Sequence, residues 1–103
     1  MFLLLNMSHP PPDMPEFDRL GHERHRAILV WLYLRRNHGK WLTPDEIAKG
    51  TGLAVSTVQS ALSRIFGLPP ALRPLLERRV IEDAGGRRTE YRFRRIIDII
   101  FEK

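Results

Sequence analysis

The chain has 103 residues, no cysteine, and 17 Lys and Arg against 12 Asp and Glu, which gives a net charge of +5. This length suits one small domain, and a hydrophobic content of 43% is enough for a modest core. The lack of cysteine excludes disulfide frameworks, thiolate zinc sites and cysteine nucleophiles. Catalytic patterns of the Ser-His-Asp, paired-carboxylate and phosphate-loop types do not stand out. The sequence therefore indicates a basic module that is not an enzyme, has no cofactor and binds an acidic partner.

Residues 1–15 are predicted to form a proline-rich arm ahead of a domain over residues 16–94. The apolar run Phe2–Leu5 lacks a basic flank and is too short for a signal sequence or a membrane span. The prolines that follow favour an extended, semi-rigid chain. We therefore expect a cytoplasmic protein that has no membrane segment.

The first long helix is predicted to begin near Asp18 or Gly21 and to end at Asn37–Gly39, where Gly39 can take the left-handed position after the helix. Its middle, residues 27–34, is apolar without a break. An ordinary surface helix has only an apolar stripe, so this helix is predicted to have a second face covered by other helices or by another chain. In so short a chain we favour a partner subunit. The expected assembly is a homodimer through this helix and the C-terminal tail.

Thr43 begins the strongest local pattern in the sequence. Thr43 is a suitable N-cap, Pro44 suits the first helical position, and Glu46 completes a capping box three residues after the cap. Leu42 and Ile47 flank this box as a hydrophobic staple. The pattern predicts a second helix, and the glycines that follow within two turns make it short.

A third helix is predicted over residues 56–66. Ser56 and Gln59 have the spacing of a second capping box. Apolar residues recur from Val58 to Ile65 at helical spacing and form the buried side, so the polar residues between them face outward. The two helices would form a compact pair.

The spacing of Ala48, Gly52 and Val58 joins these two helices into a recognisable unit. A small residue at Ala48 lets the helices cross closely, and Gly52 can adopt the positive φ of a sharp turn. Val58 then anchors the following helix. This arrangement is typical of a helix-turn-helix, whose second helix can enter the DNA major groove. Residues 40–42 are predicted to form a short strand ahead of it.

The C-terminal half is predicted to contain a β-hairpin. Residues 74–79 are expected to form a short helical turn that leads into a strand over 80–82. Residues 84–88 have the composition of a hairpin tip, and 89–93 alternate like a second strand. The tail, residues 95–103, fits a strand or a helix by pattern alone, and we favour a helix because further strands would have nothing to join.

Residues 40–93 resemble the winged helix-turn-helix of bacterial and archaeal transcription regulators of the MarR and PadR kind. The resemblance implies a mostly α fold with a small β-hairpin (α+β), in which a three-helix core carries a wing of two to three strands. It also implies a homodimer that binds double-stranded DNA at a palindromic operator. The matching stretches are LTPDEIA at 42–48, GLAVSTV at 52–58 and LERRVIE at 76–82.

The resemblance also implies which residues contact DNA. Residues on the third helix would face the major groove or the adjacent backbone, and arginines at the tip of the wing would reach the minor groove or its phosphates. Arginine makes up 14 of the 17 basic residues, and its planar fork suits phosphates and guanine edges. The residues concerned are Ser56, Thr57, Gln59, Ser60 and Arg64 on the helix, and Arg87 and Arg88 in the wing.

Several of these residues have a second interpretation. Ser56 and Gln59 can serve only as helix caps, and Arg87 and Arg88 can be part of a solvated turn. For the two arginines we favour DNA contact, since the sequence places no obvious run of carboxylates opposite the predicted tip. The other arginines of the hairpin have acidic neighbours and are expected to form ion pairs.

Two departures from the regulators' pattern stand out. Residues 67–73 lengthen the link between the third helix and the wing, and the chain lacks a long C-terminal dimerisation region. There is also no room for a separate ligand-binding domain, so the sequence indicates no small-molecule ligand. The alternative function is a winged-helix module for protein–protein interaction or assembly, which the apolar first helix, the Leu-rich N-terminus and the Ile-rich tail would fit. The sequence does not separate promoter DNA from replication-origin or RNA partners.

The histidines and aromatic residues have ordinary interpretations. His22 and His25 are three residues apart, but a tetrahedral metal site needs further ligands and the sequence provides none, so we predict no metal site. Trp31, Tyr33 and Trp41 are interpreted as core or interface aromatics rather than platforms for stacking bases.

Overall fold

A computed structural model of the protein describes Pro15 and residues 17–100. Most of the predicted arm, residues 1–14, lies outside this part of the chain, as do residues 101–103 of the tail. A 3-10 segment, Phe17–Glu23, precedes the first α-helix, and another, Pro70–Leu72, precedes the hairpin. The regular elements are α1 (Arg24–Arg36), α2 (Pro44–Thr51), α3 (Val55–Phe66), β1 (Leu76–Asp83), β2 (Gly86–Phe93) and α4 (Ile96–Ile100).

Helix α1 begins later than the sequence predicts. Gly21 has φ 59° and ψ −124°, which breaks the helical path, so the chain before Arg24 is 3-10 rather than α-helical. At the other end, Asn37 is the C-cap, so the helix ends within the predicted stretch. Gly39 does have the expected left-handed φ of 86°, and its amide donates to the carbonyl of Phe93 at 2.7 Å. This glycine therefore ties the end of the first helix to the hairpin.

One side of α1 forms the centre of the core. Ala27, Val30, Trp31 and Leu34 are buried, which confirms Trp31 as a core aromatic. The other elements do not cover the whole apolar circumference of this helix. Leu29 and Leu32 lie on its outer side with 48% and 45% of their surface exposed.

The start of α2 has the geometry that its sequence predicts. The Thr43 hydroxyl accepts a hydrogen bond from the amide of Glu46 at 3.3 Å, and the Glu46 carboxylate accepts one from the amide of Thr43 at 2.8 Å. Leu42 and Ile47, the two residues of the staple, are buried. The capping box and the staple are confirmed.

Helices α2 and α3 form the predicted helix–turn–helix pair. Gly52 caps α2 with φ 78°, and Ala48 is buried at the crossing. A second glycine, Gly50, lets α2 approach α1 closely, because a Cβ at this position would overlap the ring of Tyr33. The half-buried Tyr33 is therefore an internal packing residue between helices.

The predicted capping box at Ser56 is wrong. Helix α3 begins at Val55, its N-cap is Ala54, and no side chain bonds to the cap. The amide of Val58 donates to the carbonyl of Ala54 at 3.0 Å, so the first helical turn closes two residues before the predicted cap. Ser56 is the second residue of the helix, and its exposed hydroxyl is not used for capping.

The two capping predictions can be separated by mutation. Thr43→Ala is expected to lower the free energy of unfolding by about 1 kcal/mol, because it removes an N-cap that makes both bonds of a capping box. Ser56→Ala is expected to change it by less than about 0.5 kcal/mol, since no cap is lost. Urea unfolding followed by circular dichroism measures both. Equal losses for the two variants would contradict the start of α3 described here.

The hairpin is longer and begins earlier than predicted. Strand β1 begins at Leu76, so the helical turn predicted over residues 74–79 is wrong; one 3-10 turn lies at Pro70–Leu72 instead. The backbone of Leu75 has φ 67°, which turns the chain into the strand. The strands pair antiparallel from Leu76 opposite Phe93 to Asp83 opposite Gly86.

The hairpin tip is shorter than residues 84–88. Only Ala84 and Gly85 lie between the strands, so Arg87 and Arg88 belong to β2. The strand predicted over residues 40–42 is reduced to one bridge, in which Leu42 and Tyr91 exchange two backbone hydrogen bonds of 2.8 Å. This bridge fixes the hairpin to the start of α2.

The predicted α+β class is confirmed, with three core helices and a two-stranded antiparallel hairpin that are compatible with a winged-helix-like domain. The tail is helical over its described part, and Ile96, Ile97, Ile99 and Ile100 of α4 are all exposed. Among the described residues, the helices are too short or too polar to cross a bilayer.

Candidate nucleic-acid interface

A cleft separates α3 from the hairpin. Helix α3 contributes Gln59 and Ser63 to its wall, and the first turn of α2 contributes Thr43, Pro44 and Asp45. The hairpin contributes the basic side of the cleft. Its lining residues are Arg78, Arg87, Arg88, Thr89 and Tyr91.

The exposed side of α3 is polar and composed of short side chains. Ser56, Ser60 and Ser63 follow one another at spacings of four and three, so they form one line along the helix. Gln59 flanks this line on the side of the hairpin, and Thr57 is half-buried on the other side. All five site residues predicted for this helix thus lie on α3, and Ser63, which was not predicted as a site residue, extends the line of Ser56 and Ser60.

Arg64 lies apart from the cleft. Its Nε is 4.0 Å from the Glu23 carboxylate, in the segment that precedes α1. Both side chains are solvated and the separation is at the limit of an ion pair, so the contact contributes little to stability. Arg64 therefore flanks the exposed line of α3 on the side away from the hairpin.

The two faces of the hairpin have different charge arrangements, because successive side chains of a strand point to opposite sides. The face that we call the cleft face carries Arg78, Val80 and Glu82 on β1 and Arg87, Thr89 and Tyr91 on β2. The opposite face, which we call the paired face, carries acidic and basic residues opposite each other. Its members are Glu77, Arg79, Asp83, Arg88, Glu90 and Arg92.

The charges of the paired face neutralise one another. Arg79 Nε donates to Glu90 at 2.8 Å, and Arg92 Nε donates to Glu77 at 2.8 Å. Arg88 bonds to Asp83 at 3.1 Å and to Glu90 at 3.2 Å. The ion pairs predicted for the hairpin arginines are confirmed for Arg79, Arg92 and Arg94, whereas Arg78 forms none with a described carboxylate. The expectation that Arg88 faces no carboxylate is wrong, since the prediction placed Arg88 in the tip and not in a strand.

Trp41 belongs to the same arrangement. The guanidinium carbons of Arg79 and Arg92 lie 4.1 and 4.3 Å from the centre of its ring. Stacking of this kind stabilises a partly exposed site by roughly 0.5–1 kcal/mol. The Trp41 ring is therefore covered by two arginines, in keeping with its interpretation as a packing residue.

Hydrogen bonding shifts the acid–base behaviour of the paired face. The bond from Arg79, assisted by Arg88, holds the pKa of Glu90 below its ordinary value of 4.5. Bonds from Arg88 and from the amide of Gly85 lower the pKa of Asp83, and the bond to Asp83 raises the pKa of Arg88. These carboxylates therefore favour the folded hairpin when they are charged.

A pH titration tests this arrangement. A lowered pKa in the folded state stabilises the protein above pH 4.5, and the contribution of Glu90 is lost as the pH falls from there through the lowered value. Glu90→Gln lacks this titration, so its melting temperature should fall less steeply than that of the wild type between about pH 5 and 3. Circular dichroism melting curves measure the difference. Parallel pH profiles would contradict the ion-pair arrangement.

Arg78 and Arg87 on the cleft face differ from the arginines of the paired face. Neither has a hydrogen bond or ion pair to a carboxylate among the described side chains, although Arg87 lies opposite Glu82 in the strand register. Arg78 was not predicted as a site residue. Once β1 is known to begin at Leu76, the two-residue period of the strand places Arg78 on the same face as Arg87.

In the described part of the chain, His, Asp and Glu side chains form no group of three or more that could hold a metal ion.

Comparison with known proteins does not identify a family for this chain. No protein-family model matches the chain, and neither the curated proteins nor the solved structures contain a significant match.

Proposed function

We propose that this protein binds double-stranded DNA as a small transcription regulator of the winged-helix kind. In this proposal α3 lies in the major groove and the hairpin lies across the adjacent backbone and minor groove. The observation that carries the proposal is the cleft face, which directs Arg78 and Arg87 toward the side of α3 that exposes Gln59 and Ser63. A phosphate backbone that follows this cleft would meet two guanidinium groups that form no ion pair with a described carboxylate, although Asp45 also lines the cleft.

The two sides of the cleft would make different contributions. Arginine contacts to phosphates supply affinity that depends on salt and not on sequence. Serine and glutamine side chains can bond to base edges, but short hydroxyls discriminate less than bidentate arginine or asparagine contacts. We therefore expect a modest preference for sequence on a strong electrostatic background.

Fluorescence anisotropy with labelled random duplexes tests the proposal, followed by selection and sequencing of bound fragments. We expect binding that weakens steeply with salt, and an enriched motif that changes in Gln59→Ala or Ser60→Ala. Matched single-stranded DNA and double-stranded RNA serve as competitors. Absence of duplex binding at 50 mM salt would contradict the proposal.

The exposed apolar residues favour a second part of the proposal, namely that the protein forms a homodimer. Leu29 and Leu32 on α1 and the four isoleucines of α4 are exposed on one small domain. We propose that a second copy of the chain covers them, because a dimer would present two α3 helices to a palindromic site. If duplex binding is absent, this surface supports the alternative function of a protein–protein interaction module.

Substitution of Leu29 and Leu32 by serine tests the dimer. The wild type is expected to have the mass of two chains at tens of micromolar protein, and the double variant the mass of one, since the variant removes apolar surface that the proposed partner buries. Light scattering during size-exclusion chromatography measures the mass. A monomeric wild type, or a variant that remains dimeric, would contradict this interface.

A further inference from the structure

Two arginines meet around the ring of Phe66 at the foot of the hairpin. The guanidinium carbon of Arg73 lies 4.6 Å from the ring centre, and that of Arg78 lies 5.2 Å from it. Phe66 ends α3, Arg73 follows the second 3-10 segment and Arg78 lies in β1. The lengthened link between α3 and β1, which departs from the regulators' pattern, thus places Arg73 beside a residue of the cleft face.

The charges of this pair are not balanced by an acid. Among the side chains that the structure describes, no carboxylate bonds to either guanidinium, and Arg73 Nε donates to the neutral carbonyl of Leu68 at 3.1 Å. The nearby Glu77 uses its two carboxylate oxygens for Arg92 and Arg94. Burial and the charge of Arg78 lower the pKa of Arg73, as expected for like charges held close together.

A cavity of about 360 Å³ opens beside the pair. Trp41, Phe66 and Leu76 form its apolar wall, and the two arginines form its charged side together with Glu77, whose carboxylate is engaged by Arg92 and Arg94. An apolar wall reduces screening by water and so strengthens the attraction of the guanidinium groups for an anion.

We propose that Arg73 and Arg78 form an anion site that binds a phosphate group between their guanidinium forks. Paired arginines match the geometry and charge of phosphate oxygens. The group belongs either to the backbone of bound DNA or to a free phosphorylated molecule. The first source rests on the proposed DNA binding, whereas the site itself does not.

Titration of the labelled full chain with inorganic phosphate tests the site, with the Nε–H signals of the arginines followed by NMR at constant ionic strength. Saturable shifts are expected for Arg73 and Arg78, and at least tenfold weaker binding in Arg73→Gln. Arg36→Gln is the matched control, because Arg36 is exposed at the end of α1, outside the cavity. Arg73→Lys keeps the charge without the fork and should bind with intermediate affinity. Shifts that do not saturate, or that are unchanged in Arg73→Gln, would overturn the proposal.

Addition of a duplex in place of phosphate distinguishes the two sources. If the DNA backbone supplies the phosphate, the Arg73 signal shifts on duplex binding and Arg73→Gln weakens that binding. If the source is a free phosphorylated molecule, Arg73 responds to inorganic phosphate, while Arg73→Gln binds duplex like the wild type. If the protein binds phosphate but no duplex, the anion site is supported and the proposed DNA binding is contradicted. The failure of one proposal can therefore be distinguished from the failure of the other.

Discussion

Replacing Arg78 and Arg87 together by glutamine is expected to reduce the slope of log affinity for DNA against log salt by about 1.8. Each phosphate contact contributes about 0.9 to this slope, and the cleft face offers two arginines that lack a carboxylate partner in the described chain. If the variant and the wild type bind DNA equally at 1 M salt, this difference in slope corresponds to a loss of roughly 30-fold in affinity at 0.15 M salt. Anisotropy titrations over a range of salt concentrations measure both quantities.

Arg88→Gln provides the matched control for this experiment. Arg88 is adjacent to Arg87 in β2 and also contributes to the lining of the cleft, but its guanidinium is engaged by Asp83 and Glu90 on the paired face. Its removal should weaken the hairpin and leave the salt slope nearly unchanged. If Arg87→Gln and Arg88→Gln reduce the slope equally, the division of the hairpin into a cleft face and a paired face has no bearing on DNA binding.

The largest expected effect on stability is that of Phe93→Ala, with a loss of about 3–5 kcal/mol in the free energy of unfolding. The Phe93 side chain is 1% exposed and makes an edge contact with Trp31, whose ring centre is 6.3 Å away. Truncation removes this contact and leaves a cavity where the hairpin joins α1. Urea unfolding measures the loss.

Val80→Ala is the control within the same hairpin. Val80 is 48% exposed in β1, so its truncation should change the free energy of unfolding by less than about 0.5 kcal/mol. A mild effect for Phe93→Ala, close to that of Val80→Ala, would mean that the hairpin does not pack on α1 as described.

Helix caps could be predicted from the sequence where residues close together in the chain make all of the hydrogen bonds. The capping box at Thr43 needs only a hydroxyl and a carboxylate three residues apart, and it is present. Ser56 has the same pattern but lies inside its helix. The turn after Gly52 places Ala54 at the cap, and a pattern of polar residues does not reveal where the preceding turn ends.

The candidate site was predictable in its location but not in its charges. The exposed residues of α3 follow from helical spacing, since the buried side includes Val58 and Ile65. The distinction between Arg87 and Arg88 depends on strand register, which is set by the two-residue tip and by the start of β1 at Leu76. A shift of one residue in the strand register moves every side chain to the opposite face. A small error in the predicted limits of a strand therefore assigns an arginine to the wrong face and so gives it the wrong ion-pair partners.

The bridge between Leu42 and Tyr91 has a consequence for how this surface can diversify. Two backbone hydrogen bonds hold the hairpin beside the first turn of α2, and the Gly39 amide adds a third to Phe93. Main-chain bonds do not depend on side-chain identity, so the distance across the cleft is set independently of the residues that line it. Substitutions at Arg78, Arg87 or Gln59 can therefore alter the ligand preference of the domain while its backbone hydrogen bonds stay in place. This property makes the domain a suitable scaffold for engineered binding.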